Sequence, residues 1–182
     1  VTQYDFLIAK GIPVRQLGAG SVREHYENAP ELQVKDFDIM MEAVRQKYPE
    51  IYPSAAAYAD GPLSYPCNMF IMKKELFDEY SEFLFNVLGD CEKKIDTSLY
   101  CVQSLRTIGH LAERLLGIYY TYLKKQGGYR LGELQIALFK NTDPVEAVIP
   151  SDEKAVPVVL AANDYYAPIL CTCLESIREH IS

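Results

Sequence analysis

Apolar residues recur at Leu76, Tyr80, Phe83, Leu84, Val87, Leu88, Cys91 and Ile95, the i, i+3, i+4, i+7 spacing of a helix that buries one face. A second run, Leu105, Ile108, Leu111, Ala112, Leu115, Leu116, Tyr119 and Leu123, repeats the period and closes on Lys124-Lys125 and Gly127-Gly128, the cations and glycines that end a helix. Two long helices, near 75–95 and 104–124 and joined by a short connection, are therefore predicted to pack on each other. Phe37, Met40, Met41, Val44 and Tyr48 give a third amphipathic helix that begins at Asp36 and stops at Pro49, and residues 50–59 a brief fourth one halted by Asp60-Gly61-Pro62. Strands are expected at Asp5–Lys10, at Cys67–Met72 and at Tyr129–Phe139, short apolar runs bounded by turn residues. Residues 11–34 show little periodicity and read as a flexible loop. Within them Gly18-Ala19-Gly20-Ser21 lacks the Lys-Ser/Thr of a phosphate loop.

Residues 140–155, rich in Pro, Asp, Ser and Asn, read as a linker. Beyond them Val156–Ala162 is an expected strand, Asn163–Pro168 a turn, and Leu170, Leu174, Ile177 and Ile181 a helix face. The whole is a helix-rich α/β chain with a division into 1–140, 141–155 and 156–182.

Polar residues add candidate chemistry. Arg106, His110, Glu113, Arg114 and Gly117 stand at i, i+4, i+7, i+8 and i+11, one stripe opposite the leucines of the second long helix. Such a stripe is either an ordinary salt-bridged outer face or a binding site; Gly109 and Gly117 beside it would admit a ligand or another backbone closely. Asn68 is the one polar residue of its expected strand, so either internal hydrogen bonding or an acceptor would engage its amide. No Asp-x-Asp suits a metal, because Asp36-Phe37-Asp38 sits at a helix start. No metal ligands are therefore assigned.

Composition narrows the partners. The 182 residues are 49% apolar and 24% charged, with a net charge of −7, ordinary for a globular protein. The acidic balance disfavours nucleic acid, since phosphate contacts need a basic face. The doublets Lys73-Lys74, Lys93-Lys94 and Lys124-Lys125 leave room for peripheral contact with an anionic membrane. No stretch reaches 18 consecutive apolar residues, and the N-terminus lacks a secretory pattern. Five cysteines without zinc-type pairing read as reduced, mostly buried cytosolic thiols.

The segments Tyr65–Lys74, Phe77-Asp78-Glu79-Tyr80 and Gly109–Leu116 resemble the C-terminal half of a bacterial family of exopolysaccharide and capsule biosynthesis glycosyltransferases, over about residues 4–139. The resemblance implies a GT-A-like, Rossmann-related fold. It also makes His25, which matches a histidine of that family, a candidate contact for sugar or phosphate. A Val1 start agrees with a piece of a longer polypeptide. Residues 156–182 resemble the opening strand and helix of family 8 glycosyltransferases, whose acidic and aromatic turn holds the nucleotide. That resemblance places nucleotide contacts on Asn163, Asp164 and Tyr166, with Asn163 and Tyr165 departing from the family's residues. It implies a divalent metal (Mn or Mg) in a complete second module.

The combined expectation is part of a cytoplasmic bacterial glycosyltransferase that moves a sugar from a nucleotide-sugar, a UDP-sugar by the second resemblance, to a glycan or lipid-linked acceptor. It would lie at most peripherally at the inner membrane face. Glu113, His110 and Arg114 are the candidate catalytic residues; Arg106, Asn68 and His25 are candidate substrate contacts. Each half lacks part of its expected site, so the 182 residues alone are expected to be inactive. The alternative is a non-catalytic helical module that docks a synthase complex or a membrane face.

Overall fold

The computed structural model describes residues 3–136, all but the last of them in one compact unit, Thr2–Gln135. The expected division at 140 and the βα unit beyond it lie outside the described residues. Strand β1 (Phe6–Ala9) is followed by β2 (Ile12–Pro13), a 3-10 turn, and helices α1 (Val22–Glu27), α2 (Val34–Lys47) and α3 (Tyr52–Ala59). Then come β3 (Leu63–Ser64), β4 (Phe70–Met72), α4 (Lys74–Lys94), a second 3-10 turn, α5 (Thr107–Gln126) and β5 (Leu131–Leu134).

All four residues of β1 are buried because the strand is central: β4 pairs with it antiparallel on one side and β5 parallel on the other, in the order β4-β1-β5. A separate two-stranded ribbon joins β2 to β3. Asp5 clamps the entry to the sheet. Its carboxylate meets Lys73 Nζ at 2.7 Å and accepts from the Arg130 amide at 2.7 Å, so these donors hold its pKa well below the usual carboxylate range.

The longest helices are α4 and α5, and they do share a core. Tyr119 of α5 stacks on Phe83 of α4 at 5.8 Å between ring centroids and lies 5.3 Å from Tyr80, within the range of favourable aromatic pairs. Helix α5 also packs along α3, and α2 along both α3 and α4. Phe6 ties this helical layer to the sheet, edge-on to Tyr120 at 5.4 Å.

Several sequence expectations need correction. Residues 11–34 are not one loop, since they hold β2, a 3-10 turn and α1. The start of α1 is a capping arrangement: Ser21 Oγ accepts from the Glu24 amide at 3.1 Å, and Glu24 Oε2 accepts from the Gly20 amide at 2.7 Å. The strand expected at Cys67–Met72 shortens to Phe70–Met72 and lies at the sheet edge, half-buried at most. After Pro66 the chain turns at Cys67, the one non-glycine of the described residues with positive φ, 63°. Asn68 is consequently exposed on a bend and not buried in a strand. Leu105 is exposed too, because a 3-10 turn, Ser104–Arg106, precedes α5 and rotates it off the helix's apolar face. Cys101 is exposed and Cys67 half-buried, leaving Cys91 as the buried thiol among the described cysteines.

The largest correction concerns the far side of α5. Arg114 and Gly117 are buried there alongside Ile118 and Tyr120, so the stripe runs from an exposed Arg106 through half-buried His110 and Glu113 into the interior. The close approach expected at Gly117 is real, but the visitor is the Tyr58 ring of α3: a Cβ built on Gly117 would overlap the phenol. Gly109, by contrast, is exposed and has nothing within 4 Å. Gly117→Ala should therefore lower stability by about 1–3 kcal/mol through overpacking, whereas Gly109→Ala should leave it unchanged or raise it by up to about 1 kcal/mol. Urea unfolding of the two variants checks the contrast, and equal effects would contradict it.

Candidate functional site

Four elements bring polar groups to one flank of α5. Helix α1, set by its Ser21 cap, contributes His25 and Tyr26; α3 contributes Tyr58; the end of β3 and the turn after it contribute Ser64 and Cys67; α5 contributes His110, Glu113 and Arg114. Arg114 lies at the centre. It is only 5% exposed, its guanidinium carbon stands 5.8 Å from the Tyr26 ring centroid, and Nη1 reaches Glu113 Oε2 at 3.5 Å. Its Nε is buried without a hydrogen-bond partner among the described groups, as is His25 Nδ1. Buried polar atoms are seldom left so.

The electrostatics follow from this crowding. Burial, reinforced by the Arg114 cation, pushes the His25 pKa below its ordinary value. Burial does the same for His110, with Arg114 and Arg106 acting in the same sense and Glu113 and Glu31 opposing. Both imidazoles are thus biased towards the neutral form, which can donate from one nitrogen and accept at the other. The Cys67 thiol is pushed up by burial and by the Glu113 carboxylate, so it is a poor nucleophile. Tyr58 anchors the β3–β4 turn by accepting the Tyr65 amide at 3.3 Å. Burial raises the Tyr26 phenol to about 12, and Tyr26 remains a neutral donor.

His25, His110, Glu113 and Arg114, separated by up to 89 positions in sequence, thus come together. Arg106 is exposed one turn before His110 and contributes charge to it. Asn68 adjoins Cys67 but is exposed. Asn163, Asp164 and Tyr166 lie outside the described residues. Among the described residues no group of three or more His, Cys, Asp and Glu side chains could hold a metal ion. A shallow cleft of about 300 Å³ exists elsewhere, between α1, α2 and α3, bordered by Arg23, Asp38, Tyr52 and Asp60. None of the stripe residues lines it.

Sequence reasoning missed Tyr26, Tyr58 and Cys67. The Ser21-Val22-Arg23-Glu24 capping pattern was the available signal for α1, and with it for the side from which Tyr26 enters. Nothing local marks Tyr58 or the turn at Cys67.

The family model described as "Domain of unknown function (DUF4422)" matches residues 1–126. The chain belongs to the DUF4422 family. A solved structure, the WbbM bifunctional glycosyltransferase in its apo form, is similar to this DUF4422 chain with a TM-score of 0.74 and 35% identity. The match covers 90% of this chain and 29% of that one, so the DUF4422 chain spans less than a third of its neighbour's length. No curated protein matches it. The helix-rich α/β architecture is accordingly that of a glycosyltransferase section.

The two histidines make folding stability pH-dependent. In the unfolded chain they titrate near the ordinary 6.5, while the folded chain takes up those protons only at lower pH. The unfolded state then binds more protons in this range, so stability should be fully present above about pH 7 and fall as pH drops through about 6. Replacing both His25 and His110 by Asn should flatten that limb in urea unfolding measured across pH. An unaltered slope would place the titration in other groups.

Proposed function

We propose that this DUF4422 chain is part of a bacterial glycosyltransferase that moves a sugar from a nucleotide-sugar to a glycan acceptor in exopolysaccharide or capsule biosynthesis. The observation that carries the reading is the convergence of His25 with His110, Glu113 and Arg114, in a fold 35% identical to part of a bifunctional glycosyltransferase. Sugar transfer needs a base for the acceptor hydroxyl and positive charge for the departing nucleotide diphosphate. Glu113, one-third exposed and beside a buried arginine, fits the first task. Arg114 fits the second, since a largely desolvated cation acts on a developing negative charge more strongly than one in water.

Neutral His25 and His110 add hydrogen bonds to sugar hydroxyls or phosphate oxygens without requiring a bound proton. Arg106 and the exposed Asn68 would extend contacts towards the acceptor. A second module would hold a nucleotide of its own, UDP by the resemblance of residues 156–182, through Asn163, Asp164 and Tyr166. The divalent Mn or Mg implied there belongs to that module and not to the α5 flank.

The decisive substitution is Glu113→Gln in the active enzyme that contains this chain. It keeps volume and hydrogen bonding but removes basicity, so nucleotide release in the presence of acceptor should slow by about 10² or more. The melting point should fall only modestly, because Gln can still accept from Arg114 and Glu113 is itself partly exposed, although a buried arginine loses its counter-ion. Normal turnover would remove Glu113 from the mechanism. A large loss of stability would mark it instead as the structural counter-ion of Arg114.

A further inference from the structure

Two side chains of opposite charge, Asp36 and Arg114, are buried near enough to the Tyr26 phenol for both to act on it, yet they do not pair with each other. Asp36 has no exposure and Arg114 is 5% exposed, and a buried charge is costly unless a counter-ion and hydrogen bonds meet it. A direct ion pair would meet both needs. Asp36 instead takes the hydroxyls of Thr107 and Tyr100 on its two oxygens, at 2.7 and 2.8 Å. Arg114 has the partly exposed Glu113 at a long 3.5 Å, and its Nε has no partner.

Tyr26 stands between the two groups in this chain of contacts. Its hydroxyl is bonded to Thr107 Oγ1 at 3.3 Å, one hydrogen bond away from Asp36, and its ring centroid lies 5.8 Å from the Arg114 guanidinium carbon. Phe37, from the same helix as Asp36, backs the ring at 5.2 Å between centroids, and Tyr26 is fully buried, so the ring has no room to turn aside. An aromatic face attracts a guanidinium without taking up its N–H groups. The cation is thereby held in place with its donors still available.

We infer that Tyr26 is a positioning residue: its ring screens Arg114 from Asp36 and keeps the guanidinium, with its unpartnered Nε, beside Glu113 for an incoming anion. The role rests on the transferase reading, in which that anion is the departing diphosphate. An arginine locked to Asp36 would be neutralised before substrate arrived and would do little for a developing negative charge.

His25 reports where the cation is, because Arg114 is the charge that, after burial, pushes its pKa down. In NMR titrations of the 182-residue chain, Tyr26→Met, which fills space without a ring, should let Arg114 turn to Asp36, and the His25 midpoint should rise towards its ordinary value. Tyr26→Phe keeps the ring and should keep the lowered midpoint. Adding Asp36→Asn to Tyr26→Met removes the competing carboxylate and should bring the midpoint down again, a reversal that a loosened site would not show. Asp36→Asn alone should leave it in place. A midpoint unmoved by loss of the ring, or raised and not reversed, would overturn the inference. So would a further fall in Asp36→Asn alone, a variant that needs no ring removed, since Asp36 would then already share Arg114 in the intact chain. In the active enzyme that contains this chain, Tyr26→Met should lower kcat about tenfold or more, the loss expected of a desolvated cation–π contact, with KM for the acceptor little changed and Tyr26→Phe recovering most of the rate. The titration needs no catalysis, so its failure leaves the transferase reading standing. A normal kcat in a variant whose His25 has shifted would remove Arg114 from the reaction, and the positioning role with it.

Discussion

A carboxylate sealed in the interior holds this molecule's helices in place. Asp36 has no exposure at all, and burying such a group is costly unless its oxygens are hydrogen-bonded. Here Thr107 Oγ1 donates to Oδ2 at 2.7 Å and the Tyr100 hydroxyl to Oδ1 at 2.8 Å. Thr107 is the first residue of α5, so the acid also lies where the helix carries partial positive charge. With the Thr107 proton given to Asp36, the Tyr26 hydroxyl is left to donate to Thr107 Oγ1, at 3.3 Å. One buried acid thereby links α2, the α4–α5 connection, α5 and α1. Tyr26, the last member, is the ring beside which Arg114 lies.

The rotation of α5 about its own axis follows from two restraints at opposite ends. Thr107 is drawn to Asp36 at the start, and Gly117 receives Tyr58 further along. Between them Arg114 is held in the interior, while His110 and Glu113 stay half-buried at its edge. Arg114 is consequently desolvated, and the histidines beside it are driven towards neutrality by the same burial. The candidate chemistry is a product of packing around the helix.

How much of this the sequence could reveal depended on the reach of each interaction. The helices near 75–95 and 104–124 were legible because their apolar period is local and repeated, and Phe6–Ala9 because a central strand is apolar throughout. The stripe residues were legible as a group, but their surroundings were not. Whether Arg114 faces water or Tyr26 depends on a ring 88 residues away in the chain, and no periodicity encodes that distance. Asp36 was read as the start of a helix, where an acid is usually solvated, and its burial is set by Tyr100 and Thr107. Asn68 misled for a related reason: an apolar run suggests a strand, but Pro66 and the left-handed turn at Cys67 delay pairing until Phe70.

The pairing order of the sheet has a consequence for how the chain can be cut and how it is made. Strand β1 leaves the ribosome before both its partners, gains β4 some 60 residues later, and is flanked on its second side only when Leu131–Leu134 arrives. Until then an apolar strand presents an unpaired backbone edge, a template for joining other chains. The family match ends at residue 126, five positions short of β5. Trimming the protein to that boundary would recreate the nascent state permanently, and excision at the match limit would turn the most protected strand into its adhesive one.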